Sequence, residues 1–74
     1  MPYDGPLDEQ VDSVVAATVD YGLVSPVLGR QLGLTQAGID EALFLGYVVD
    51  RDGTLYPTPA GAAYRPLIDQ EPDE

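Results

Sequence analysis

Two pairs of carboxylates are the first residues in this chain equipped to do chemistry. Asp8 and Asp12 lie one helical turn apart in sequence, and Asp40 and Glu41 are adjacent. Paired carboxylates can share a proton in acid–base work or hold a hard cation. Neither pair has helpers. The chain contains no His and no Cys, which removes the commonest general base, the commonest zinc ligand and every thiolate. It has no P-loop, no dinucleotide fingerprint and no nucleophile beside a base. The segment DRDGTLYPTPAG carries Asp50, Asp52 and Gly53 in the manner of a calcium loop, but it ends on Gly61 where such a loop needs Glu. A β-hairpin explains that segment better. The expectation is a protein without catalysis, metal or cofactor, whose chemistry is recognition.

Charge bounds what it can recognise. Thirteen Asp and Glu stand against three Arg, Lys is absent, and the formal charge is -10. Such a chain repels polyphosphate at long range. Three origins fit this balance: a salt-adapted (halophilic) source, imitation of nucleic acid in a basic groove of another protein, or plain solubility. At 74 residues the chain makes one small domain. A core of that size contributes only about 3–5 kcal/mol net, so a protein partner or a homodimer would add useful stability. No apolar run approaches the ~20 residues of a membrane helix. The opening MPYDGPLDEQ lacks the basic region of a signal peptide. A cytoplasmic protein with no membrane partner is expected.

The recognition residues must be held by short elements. Residues 1–6 read as an irregular lead-in, with Asp4 or Gly5 capping a first helix and Pro6 at its first position. Leu7 to Tyr21 has helical spacing. Leu7, Val11, Val14, Val15, Thr18 and Val19 form its apolar face, and Gly22 supplies a left-handed end. Leu23 and Val24 form an extended link able to serve as an edge strand of a wing. Ser25 then Pro26 start a second helix to about Leu32, with Val27, Leu28 and Leu32 inward and Arg30 and Gln31 outward. Gly33 ends it, and Thr35 caps a third helix, Gln36 to about Leu45. Ile39, Ala42, Leu43 and Gly46 form the inner face of this helix. Tyr47 to Val49 and Thr54 to Pro57 are strands joined by an Asp52-Gly53 turn. Thr58-Pro59 starts a fourth helix, Ala60 to about Arg65, which Pro66 ends or kinks. The fold class is mainly α with a small β-hairpin, a winged helix-turn-helix over residues 7–68 with three to four helices and a two- or three-stranded wing. An acidic tail occupies residues 69–74.

Two surfaces follow from this layout. The outer face of the third helix carries Gln36, Ala37, Asp40, Glu41 and Phe44. Phe44 either packs under the wing or against the first helix, or stands outside as an aromatic anchor rimmed by Asp40 and Glu41, the make-up of a protein-binding hot spot. The polar face of the first helix carries Asp8, Glu9, Asp12 and Asp20. It is either a solvated face or a row of carboxylates in place of phosphates, with Asp8 and Asp20 about 18 Å apart along the axis. Tyr3, Tyr21, Tyr47, Tyr56 and Tyr64 are spread along the chain as core or rim residues.

Two stretches carry a family likeness. LGRQLGLTQAGIDEALFLGYVV resembles the turn, recognition helix and first wing strand of MarR-type and PadR-type transcriptional regulators. DGTLYPTPAG is similar to their returning wing strand and the helix start after it. The resemblance covers about half of the chain. It implies that Gln36, Ala37, Asp40 and Glu41 face bases and that Arg51 reaches the minor groove. Gln36 and Arg51 suit those roles. Asp40 and Glu41 do not, beyond contacts to a cytosine amino group, and no lysine is present for phosphates. The leading expectation is therefore a small acidic winged-helix protein that regulates or inhibits a DNA- or RNA-handling protein through protein–protein contact. The alternative is a dimeric DNA-binding transcriptional regulator from a halophilic source.

Overall fold

The computed structural model describes residues 6–68. α1 spans Leu7–Tyr21, α2 Pro26–Leu32, α3 Gln36–Leu45, β1 Val48–Arg51, β2 Thr54–Pro57 and α4 Pro59–Ile68. Local signals start α2, α3 and α4 and end α1, α2 and α3. Ser25 Oγ accepts the Leu28 N–H at 3.1 Å and Thr35 Oγ1 accepts the Gly38 N–H at 3.0 Å, so both expected N-caps form. Thr58 Oγ1 caps α4 through the Gly61 N–H at 3.1 Å. Gly22, Gly33 and Gly46 end α1, α2 and α3 in the left-handed conformation.

Several boundaries differ from the sequence reading, among them β1, which runs Val48–Arg51 rather than Tyr47 to Val49, and α4, which begins at Pro59 rather than Ala60. Pro6 is the N-cap of α1 rather than its first helical residue, with ψ at 150° and no side-chain cap. Its carbonyl takes the Glu9 and Gln10 N–H groups at 3.0 and 3.1 Å. The proposed caps Asp4 and Gly5, together with the acidic tail, lie outside the described residues. At the other end, α4 continues through Pro66 to Ile68. Ile68 packs against the core. That burial outweighs the hydrogen bond that proline forfeits in a final turn, where few bonds remain to lose.

The architecture is mainly α with a small β-wing, an order of elements that fits a winged helix-turn-helix. β1 and β2 pair antiparallel, from Val48 opposite Pro57 to Arg51 opposite Thr54. Asp52 and Gly53 both have positive φ, 56° and 86°. That is the turn whose twist matches a two-residue hairpin. Val24 adds a bridge to Leu55, with N–H···O bonds of 2.9 Å in both directions. The link after α1 thus serves as the third line of the wing.

The core is built on one face of α1. Val11, Val14, Val15 and Thr18 are buried there, joined by Val24, Ala42, Val48 and Leu55. Thr18 satisfies its buried hydroxyl by donating to the Val14 carbonyl at 2.7 Å. Leu7, expected inside, is exposed at the first position of α1. Val27 and Leu32 are also exposed, because the short α2 buries Gly29 instead. A Cβ built on Gly29 would lie 3.5 Å from Val24 Cγ1, so the buried Gly29 faces the bridge residue.

Gly46 is exposed, and Gly38 takes its place as the inward glycine of α3. A Cβ on Gly38 would meet the Gln10 carbonyl oxygen at 2.9 Å. Gly61 is tighter still, since a Cβ there would overlap the Tyr47 carbonyl. The Gly61→Ala variant must therefore push α4 off the Tyr47 backbone just before β1, at a cost of about 3 kcal/mol. Thermal unfolding should fall by more than about 10 °C, while Ala63→Gly, on the exposed side of α4, should lose much less. A Gly61→Ala melt within about 2 °C of the wild type would contradict this packing.

Candidate functional site

The outer face of α3 is where the candidate anchor lies. Phe44 is 83% exposed, which settles its two alternatives in favour of an external position. It packs neither under the wing nor against α1. Leu45 beside it is exposed as well, so the end of α3 is an apolar knob. Asp40, Ala37 and Gln36 share this surface as exposed residues, and Glu41 is half-buried. Helical spacing stacks Ala37, Asp40, Glu41 and Phe44 along one stripe. The Gln36 amide donates to Asp40 Oδ1 at 2.8 Å, so the residue that suits base reading is engaged by its own helix.

α3 is held rigidly from behind. Thr35 Oγ1 donates to Gln10 Oε1 of α1 at 2.6 Å while it caps α3. At the far end, Thr58 Oγ1 donates to the Gly46 carbonyl and also caps α4. The outer face is thus presented on a helix tied at both termini.

Two members of the carboxylate row on α1 have partners within the chain. Asp12 is half-buried and accepts the Tyr64 hydroxyl at 2.6 Å on Oδ1. Asp20 takes both Nε and Nη2 of Arg65, at 3.1 and 2.9 Å. These two carboxylates hold α4 against α1, and Asp20 stays exposed while it does so. Asp8 and Glu9 remain exposed at the start of the helix. The signal for this clamp was present as Tyr64 and Arg65, but the partners lie 52 and 45 positions away in sequence. Tyr64 also stacks on Tyr47, with ring centroids 4.5 Å apart and planes 5° from parallel.

Arg51 is exposed at the end of β1, in the wing position the resemblance implies, and Arg30 is exposed on α2. Asp50 accepts the Gly53 N–H at 2.8 Å and so serves the hairpin turn. No helix among the described residues is long and apolar enough to cross a membrane. Comparison of the chain with protein-family models, with curated proteins and with solved structures found no match.

The clamp has a pH signature. The Asp12 carboxylate beside Tyr64 and the partial burial of its hydroxyl raise the phenol from its ordinary 10.0 to about 12. Its folded value lies above its unfolded one. The stabilisation is therefore complete below pH 10 and lost as pH rises toward 12. Hydrogen bonding to Arg65 lowers Asp20 below 3.8, so that contribution is present above this value and lost in acid. Tyr64→Phe should cost about 1 kcal/mol at neutral pH and flatten the alkaline limb of a stability profile. An unchanged alkaline limb in denaturant titrations would show that Tyr64 is not its source.

Proposed function

We propose that this chain is a small acidic winged-helix protein that regulates or inhibits a DNA- or RNA-handling protein by direct contact through the outer face of α3. The observation that carries this reading is the 83% exposure of Phe44 on a helix anchored at both ends. Covering an aromatic ring of this size is worth about 1.5–3 kcal/mol relative to leaving it in water. A rigid carrier reduces the entropy lost on docking. Asp40 and Glu41 set the rim charge, and α3 has neither Lys nor Arg. A partner with a basic rim around an apolar pocket complements that pattern, and proteins that handle nucleic acid carry such basic surface. The element order and the likeness to MarR-type and PadR-type regulators support placement in a nucleic-acid transaction. In the mimicry form of this reading, Asp8 and Glu9 act without Asp12 and Asp20, which are occupied by Tyr64 and Arg65.

Capture of a partner followed by titration tests the proposal. Phe44→Ala should weaken binding by about 2 kcal/mol or more, while changing stability by less than about 0.5 kcal/mol because the ring is outside the core. Asp40→Asn and Glu41→Gln should mainly slow association and reduce its salt dependence. Unchanged affinity in Phe44→Ala would remove α3 as the docking face. Duplex DNA should not be shifted appreciably by micromolar protein at ~0.1 M salt. A sequence-specific shift there would favour the DNA-binding alternative instead.

A further inference from the structure

A cleft of about 310 Å³ opens on the other side of α3, between α2, the start of α3 and the wing. Its floor is the Val24–Leu55 bridge, whose side chains are only 2% and 4% exposed. Leu34 and Ile39 add apolar wall, and Arg30 and Asp50 line the cleft from opposite elements, α2 and β1. The wing tip borders one end, where a Cβ built on Gly53 would lie 3.5 Å from Pro26 Cγ. The volume is at the small end of ligand sites, which begin at about 300 Å³.

The charges choose the ligand. Arg30 and Asp50 share the cleft without an ion pair between them. A simple anion would suit Arg30 but meet Asp50 and a chain of formal charge -10. A simple cation would suit Asp50 but meet Arg30. A zwitterion satisfies both groups and, being neutral overall, is not repelled at long range. The apolar floor asks for a hydrocarbon side chain. We propose that this cleft binds a small apolar zwitterion, an α-amino acid of about leucine size. Its carboxylate lies on Arg30, its ammonium on Asp50 and its side chain over Val24, Leu34, Ile39 and Leu55. The site does not use Phe44, and of the outer-face residues of α3 only Gln36 borders it.

Amide chemical shifts of the full chain test this during titration with L-leucine, with 4-methylpentanoate, which lacks the ammonium, and with leucine methyl ester, which lacks the carboxylate. Leucine should move the Gly29, Arg30, Leu34 and Gly53 amides saturably at about millimolar concentration. Each single-charge analogue should bind at least about five-fold more weakly. Arg30→Gln and Asp50→Asn should each lower leucine affinity by about the same factor. Both residues are exposed, and asparagine keeps an oxygen for the Gly53 N–H, so melting temperatures should hold. Absence of saturation by roughly 20 mM, equal binding of the three compounds, or unchanged affinity in both variants would overturn the proposal.

Discussion

Small side chains fill this core, and short-range dispersion makes that a demanding choice. Valine dominates, with one alanine and one leucine among the buried apolar residues. Such side chains gain contact only if the backbones carrying them come very close, because attraction falls steeply with a gap of even an ångström. Gly38 brings α3 onto the Gln10 carbonyl, and Gly61 brings α4 onto Tyr47. The wing, α3 and α4 all depend on these approaches. The flat Tyr47–Tyr64 stack fills the seam that remains beside Gly61.

The acidic composition is accommodated by sorting. Asp12 and Asp20 are spent on the α1–α4 clamp and Asp50 on the hairpin turn. Asp40 is tied to Gln36, in the same helix. Arg65 anchors the clamp, while Arg30 and Arg51 are exposed near the wing. The chain is therefore not uniformly acidic on its surface. The α1 start and the outer face of α3 are carboxylate-bearing, whereas the region around α2 and the wing mixes both signs.

Most of the fold was legible because its signals are local. Ser25-Pro26, Thr35 and Thr58-Pro59 start helices, and Asp52-Gly53 turns a hairpin, through bonds made within a few residues. Side-chain direction was less legible. Leu7, Val27 and Leu32 look like core residues in any helical projection, yet they stay 43%, 55% and 38% exposed. Gly38 and Gly61 read as weak helix formers, and their value appears only once another backbone lies against them. Of the candidate site, the α3 face was readable from the 3.6-residue period, but whether Phe44 was covered depended on where the wing lay. The roles of Asp12 and Asp20 depended on a helix far along the chain. The cleft was not readable at all, since its lining comes from four separate segments.

The Thr58 hydroxyl joins the end of α3 to the start of α4, donating to Gly46 and accepting from Gly61. The Thr58 N–H adds a bond to the Tyr47 carbonyl at 3.2 Å. The segment between them is consequently a loop whose base is tied before its tip is reached. Lengthening a loop with fixed ends costs only about 0.6 kcal/mol for each doubling. Residues 51–54 can thus vary in length and sequence, as far as the Pro26 contact permits, without changing the angle between α3 and α4. Among the described residues, the hairpin tip is a place where new sequence can be accepted without moving a helix.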